Sequence, residues 1–403
     1  MSETFFQKLQ RVKPGDIGHI FKFILALPLS LVYRRKRKAL WLICDNENEA
    51  RDNGYHLYKY IREKHPETDA VYAISRRSPD LERVKPLGEV VNYGSLRHWI
   101  YYLSARYNIS SQKGGKPNAA VCYVLEVKGI IKNTRIFLQH GIIKDDMPWL
   151  YYNETKMRMF VCSTDREWKY VSEKYGYPEG WVKKLGICRL DCLHDMQVKR
   201  KQVLLMPTWR SWIATPTSAS DEIEDVSEFT KTEYYRGWSE FLSSGRLHEI
   251  LSRNDLQLIF YPHRDMQPFL HYFNVTDERI TVAKWPEYDV QELLKSSAYL
   301  ITDYSSIAMD FAYMKKRLMY YQFDYDDFRK GQYPQGYFSY ERDGFGPVVY
   351  TAQAALDELE AAAEQGFTNP PEYASKHDGF FDLYDQSNCE RNYQAILELD
   401  REK

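Results

Sequence analysis

Residues 299–306 read Tyr299-Leu-Ile-Thr-Asp-Tyr-Ser-Ser306. A short apolar run ends in small hydroxyl residues, and Ala308, Phe311 and Met314 follow at helical spacing. The pattern predicts a buried strand that turns into a helix. Ser305 or Ser306 can cap that helix. The same turn can offer backbone N–H groups and the positive end of the helix dipole to a phosphate. Working outward, Leu318 to Tyr321 reads as the next strand. Val203-Leu-Leu-Met-Pro207, Leu256 to Tyr261 and Arg279 to Val282 read as earlier ones. The first half repeats the theme at Ala39 to Cys44, Ala70 to Ile74, Glu89 to Asn92, Tyr107 to Ser110, Arg135 to Gln139 and Met159 to Ser163. Gly54 to Lys64 has helical character, Ala352 to Gln365 reads as a surface helix, and Cys389 to Leu399 reads as a last helix. Strands alternating with helical patterns predict an α/β, doubly wound fold with parallel sheets.

A chain of 403 residues exceeds one ordinary core, so two domains are expected. The boundaries read 1–38 for a membrane-associating segment, 39–195 and 196–375 for the two halves, and 376–403 for a C-terminal helix. The halves join near Leu185 to Lys201, and the polar stretch Ser211 to Ser227 reads as a loop or flexible insertion. Hydrophobic residues at 44% and charged residues at 28% describe a globular protein. A net charge of -1 provides no global reason to expect nucleic acid. Six cysteines are scattered without a C-x-x-C pair. Cys188 and Cys192, near His194, lack an identifiable fourth zinc ligand, so buried reduced thiols are expected and no metal. Neither a G-x-x-x-x-G-K-[ST] loop, nor G-x-G-x-x-G after a strand, nor a G-x-S-x-G elbow occurs. Kinase, simple dehydrogenase and α/β-hydrolase readings therefore lack their usual supports.

Near the amino terminus, Ile17 to Tyr33 is strongly apolar but contains His19, Lys22 and Pro28. The basic run Arg34-Arg-Lys-Arg-Lys38 follows it. A secretory signal carries its charge before the apolar stretch, so that reading is rejected. A span needs about 20 apolar residues. The pattern instead suits a helix lying in the interface, beside cations that attract anionic lipid. A first helix packed on the core is the alternative.

Several segments carry candidate chemistry. Arg135-Ile-Phe-Leu-Gln-His140-Gly141 is a strand ending in His-Gly. His140 there can take a proton from an attacking hydroxyl, and Gly141 lets a ligand approach the backbone. Lys144 follows in the same loop. Leu256 to Phe260 runs into Tyr-Pro-His263-Arg264, where His263 and Arg264 can bind or polarise a diphosphate. Thr208 and Arg210, in Pro207-Thr-Trp-Arg210, end the first strand of the second half and are expected to face the same cleft. Asp324, Asp326 and Asp327 have spacing that can hold a divalent ion, or simply form a solvated loop.

Together these segments resemble the CDP-glycerol glycerophosphotransferase family of teichoic-acid and capsule enzymes. The likeness rests on Pro-Thr-Trp-Arg (207–210), Pro-His-Arg (262–264), Ile-Thr-Asp-Tyr-Ser-Ser (301–306) with Asp310, and Tyr337-Phe-Ser-Tyr340 leading to Gly346-Pro347. It extends more weakly to Arg51-Asp-Asn-Gly54 and Gln139-His-Gly141. The resemblance implies two Rossmann-like domains facing a cleft, glycosyltransferase-B-like, with monotopic attachment to the cytoplasmic face of the membrane. It implies that an acceptor hydroxyl attacks the phosphorus of a CDP-linked polyol phosphate and that CMP leaves. His140 resembles the family's general base, and His263 the histidine that helps neutralise the diphosphate. Thr302, Ser305 and Ser306 resemble donor-phosphate contacts, with Asp303, Thr208, Arg210, Arg264 and Lys144 grouped as substrate-binding. The expected partners are a CDP-polyol donor, a lipid-linked or polymeric glycan acceptor and an anionic membrane surface. No nucleic acid and no cofactor are expected, and homo-oligomerisation is left open.

One departure stands out. Many members read W-H-G-T-x-x-K, whereas this chain reads Gln139-His-Gly-Ile-Ile-Lys144, with the lysine one position early and no threonine. A nucleotide-sugar-dependent glycosyltransferase is the competing enzyme reading, and a non-catalytic membrane adaptor the competing reading from another class.

Overall fold

The computed structural model describes residues 14–213 and 226–401. Residues 1–13 of the expected membrane segment and 214–225 of the expected polar loop lie outside the described residues. The chain divides into two compact units. One comprises Met1–Ile142, Pro148–Asp191 and Asp385–Lys403, and the other Ile143–Met147 and Cys192–Tyr384. The C-terminal helix, Asn388–Glu398, thus returns to the first unit, while residues 376–384 stay with the second.

The first unit holds seven strands: β1 (Trp41–Cys44), β2 (Ala70–Ile74), β3 (Val90–Asn92), β4 (Tyr107–Ser110), β5 (Arg135–Phe137), β6 (Met159–Cys162) and β7 (Val182–Lys184). They form one parallel sheet in the order β3-β2-β1-β4-β5-β6-β7. Every residue of β1 and β2 is buried, because helices cover both faces. Side-chain alternation divides β1 between them. Trp41 and Ile43 pack with Leu57, Tyr58 and Ile61 of the helix Asn53–Lys64 and with Tyr393 and Ile396 of the C-terminal helix. Leu42 and Cys44 pack on the other face with Trp99 and Tyr102 of the helix Leu96–Ser104.

The amino-terminal helix runs through Pro28 as one element, Pro14–Lys36. Asp16 in its first turn and Arg34, Arg35 and Lys36 in its last complement the helix dipole. One side docks on the helix Leu96–Ser104. Phe23 and Ala26 are buried there, the Trp99 indole donates to His19 Nδ1 at 3.1 Å, and Lys22 donates to Gly94 O at 2.8 Å. The other side leaves Ile17, Phe21, Ile24, Leu25, Leu31 and Val32 exposed. The helix is therefore both packed on the core and apolar toward solvent.

The second unit holds β8 (Lys199–Met206), β9 (Gln257–Phe260), β10 (Ile280–Val282), β11 (Ser297–Thr302), β12 (Arg317–Tyr321) and β13 (Val348–Val349). Their order, β10-β9-β8-β11-β12-β13, is parallel throughout and reverses between β8 and β11. In such sheets ligands bind beyond the strand carboxyl ends where the order reverses. One face packs Val203, Leu205, Tyr299 and Ile301 against Trp238 and Phe241 of the helix Glu233–Leu242. The helix Ala352–Glu364, expected as a surface helix, buries Ala355, Leu356, Leu359 and Ala362 in the same core. Their 3–4-residue spacing puts them on one helix face.

Candidate functional site

In the first unit the sheet order reverses between β1 and β4. Beyond β1 comes Asp45, which is buried and accepts hydrogen bonds from Gly54 N (2.7 Å), Ser111 Oγ (2.7 Å), Tyr72 OH (2.8 Å), and the N–H groups of Asp52 and Tyr55 (3.1 Å each). Those bonds close the loop 45–54 into the start of the helix Asn53–Lys64 and position Asp52. A side chain at position 54 would collide with Asp45 Oδ1 at 2.5 Å, so glycine is needed for that closure. Burial, with the neighbouring Asp52 charge, raises the Asp45 pKa to about 6.

Beyond β5, Gln139 adopts a left-handed backbone, φ 67°, a conformation uncommon outside glycine. Its side chain holds it there by donating to Val161 O (2.6 Å) and Glu167 Oε1 (3.0 Å), and its carbonyl accepts from Asn53 Nδ2 (2.7 Å). His140 is consequently turned outward, with 64% of its side chain exposed. Its Nδ1 lies 2.5 Å from Asp52 Oδ2 and 2.8 Å from Gln112 Nε2. Arg189 donates to Asp52 Oδ1 at 2.8 Å and also to the His140 carbonyl. Crowding by protein works against a charged imidazole, but the Asp52 carboxylate outweighs it and raises the His140 pKa above the ordinary histidine value. Burial likewise opposes ionisation of Asp52, yet His140 and Arg189 together hold its pKa well below the carboxylate range. With Nδ1 committed to Asp52, Nε2 is the nitrogen left to exchange a proton with a ligand.

At the reversal point of the second unit three strand ends are tied together. Thr302 Oγ1 donates to Met206 O (2.7 Å), and Asp303 Oδ1 accepts from Thr208 N (2.8 Å). The Arg210 guanidinium is fully buried. It donates to Asp303 Oδ2 (2.9 Å), to both oxygens of Asp324 (2.8 and 3.0 Å) and to Thr208 O (2.8 Å). Arg210, Thr302 and Asp303, expected from the sequence to bind substrate, are thus buried, with Arg210 and Asp303 bonded to each other and Thr302 to the end of β8. Asp324, considered for a cation, is likewise the counter-ion of Arg210. Lys144 is also buried, paired with Asp145, which in turn pairs with Arg329. Burial lowers its pKa against the opposing pull of Asp145.

Four of the expected ligand-binding residues, His263, Arg264, Ser305 and Ser306, remain partly exposed. His263 is 41% exposed and packs nearly parallel to Trp209 at 6.0 Å between centroids. Arg264 places its guanidinium 4.2 Å from the centre of the Trp285 ring. Ser305 and Ser306 are partly exposed at the turn after β11, and Ser305 Oγ accepts from Ile307 N at 3.3 Å. Thr208 Oγ1 is buried with no hydrogen-bond partner among the described residues.

Sequence reading did not single out Asp52, Gln112 or Arg189, and it weighed Asp324 as a cation ligand and not as the partner of Arg210. Asp52 was within sight, inside Arg51-Asp-Asn-Gly54. Its pairing with a histidine 88 residues away required the sheet.

The chain is 31% identical over 373 residues to the minor teichoic acid biosynthesis protein GgaB of Bacillus subtilis strain 168, which covers 91% of this chain. The chain spans 40% of that relative's length. A solved structure of the wall teichoic acid polymerase TagF superposes with a TM-score of 0.63 at 16% identity, covering 96% of this chain and 99% of the other. The UDP-GlcNAc 2-epimerase from Methanocaldococcus jannaschii shares the fold at a TM-score of 0.52 and 12% identity, covering 90% of this chain and 99% of the other. The model of CDP-Glycerol:Poly(glycerophosphate) glycerophosphotransferase matches residues 25–398, and the chain belongs to that family.

Proposed function

We infer that this chain transfers a polyol phosphate, glycerol or ribitol phosphate, from a CDP-activated donor to a hydroxyl of a lipid-linked or polymeric acceptor in teichoic-acid or capsule synthesis. The observation that carries this reading is the exposed His140 imidazole held at Nδ1 by Asp52. In the proposed step, His140 Nε2 takes the proton of the acceptor hydroxyl as its oxygen attacks the donor phosphorus. The P–O bond to CMP breaks, and CMP leaves with the electron pair. Transfer of this kind asks chiefly for positioning and charge stabilisation. His263, Arg264, Ser305, Ser306 and Thr208 are proposed to hold the donor diphosphate, on the rigid base made by Arg210, Asp303 and Asp324.

The exposed apolar side of the helix Pro14–Lys36 and the basic run at its end support peripheral attachment to the cytoplasmic face of the membrane. The test is CMP release by the purified chain from CDP-glycerol and, separately, CDP-ribitol, with a lipid-linked acceptor. Acceptor-dependent CMP that disappears in His140→Ala and His263→Ala supports the reading. UDP released from a nucleotide sugar, with no CMP from either donor, overturns it in favour of a glycosyltransferase.

A further inference from the structure

A cavity of about 660 Å³ opens in the first unit, where β2 and β3 end. Its floor is apolar, made by Ile74, Leu81, Val90 and Val91, and its rim carries Arg76, Lys85 and Arg97. Among the described residues Arg76 has no carboxylate partner. Lys85 lies 3.5 Å from Glu82, with both side chains mostly exposed. Glu89 binds Arg97 (2.7 Å) and Arg37 (3.0 Å), and Arg37 also pairs with Asp69, so Arg76 is the rim cation without an acid partner among the described residues. Cations over an apolar floor suit a ligand that joins a phosphate to a hydrocarbon chain.

What lies beside the cavity indicates where such a ligand comes from. Asn92 and Ser95 line it, and Gly94 between them is the residue whose carbonyl accepts from Lys22 of the helix Pro14–Lys36. That helix exposes Phe21 and Leu25. The apolar surface and the basic cavity therefore meet at one turn, Asn92–Ser95. The geometry points to a lipid-phosphate site: the cavity takes the phosphate or diphosphate end of a membrane-embedded polyprenyl-type lipid. Four strand spacings separate β3 from β5, so the cavity lies roughly 19 Å from His140 along the same carboxyl edge. A lipid-linked acceptor held here by its phosphate has that distance for its glycan to reach the base. The assignment rests on the transferase reading for the acceptor's identity alone.

The test measures binding of the full chain, without donor, to phosphatidylcholine vesicles carrying a polyprenyl diphosphate, carrying phosphatidylglycerol, or undoped. The Arg76→Glu/Lys85→Glu double variant is expected to bind the polyprenyl diphosphate vesicles about tenfold or more weakly, with a smaller loss on phosphatidylglycerol. Leu81→Trp, which fills the floor, is expected to do the same without a change of charge. Lys132→Glu, an exposed charge control, is expected to bind normally. Equal affinity of wild type and both variants for the polyprenyl diphosphate vesicles overturns the site. Equal loss on both charged vesicles overturns it in favour of a general basic patch, and displacement by soluble poly(glycerol phosphate) overturns it in favour of a polymer ligand. Because no turnover is read, failure of CMP release sinks the transferase reading without touching this result, and the reverse also holds.

Discussion

Nδ1 of His140 lies 2.5 Å from Oδ2 of Asp52, and Arg189 binds the opposite oxygen of that carboxylate at 2.8 Å. The carboxylate fixes the ring and raises its pKa. A base must be neutral to accept a proton, so activity should fall on the acid side through the raised histidine pKa. Asp52→Asn removes the charge that raises it. The acid limb of the kcat/KM profile is therefore expected to move to lower pH, and the plateau to fall about 10- to 100-fold. His140→Ala is expected to lose about 10²- to 10⁴-fold in rate with little change in Tm, since the ring is exposed. An unchanged acid limb in Asp52→Asn would remove Asp52 from this role.

Arg210 is the cation shared by two buried carboxylates, Asp303 and Asp324. Arg210→Met leaves both without their cation, at a cost of about 3–5 kcal/mol in urea unfolding. Arg210→Lys should rescue little of this, because an ammonium lacks the fork that reaches both acids. A variant with wild-type stability and a changed donor KM would instead make Arg210 a substrate ligand.

Gly336 lies against the segment Ile143–Met147 within the second unit. A Cβ there would fall 2.2 Å from Lys144 O and 2.8 Å from Asp145 Cα. Gly336→Ala should destabilise by about 1–3 kcal/mol. Gly379→Ala is the internal control: the helix Pro371–Phe380 leaves open space around it, and a gain of about 0.5–1 kcal/mol is expected. Thermal unfolding of the two variants side by side checks the pair.

The two sides of the helix Pro14–Lys36 should respond oppositely. Trp99→Ala removes the ring that meets His19 and Phe23, and should cost about 3–5 kcal/mol. Phe21→Asp with Leu25→Asp touches only exposed positions and should leave stability within about 0.5 kcal/mol. The double variant should bind anionic vesicles about tenfold or more weakly, since each side chain forfeits about 1.5–3 kcal/mol of burial. Co-sedimentation separates the two outcomes.

By itself the sequence determined the elements and much of the chemistry. Short apolar runs such as Trp41–Cys44 and Tyr299–Ile301 can only be buried strands when helical patterns separate them, and the alternation dictates parallel sheets. His140, three residues past the end of β5, had to emerge at a carboxyl end. The tertiary structure alone decided what each polar group meets there. A parallel sheet gathers strand ends to one edge whatever their distance along the chain, which is how Asp52 reaches His140 and Asp324 reaches Arg210. It also decided exposure. Arg210 and His263 are alike in sequence, each a polar residue just past a strand, yet one is sealed beneath aromatic rings and the other is only half-buried. Burial depends on neighbours contributed from elsewhere in the chain, and no local pattern records them.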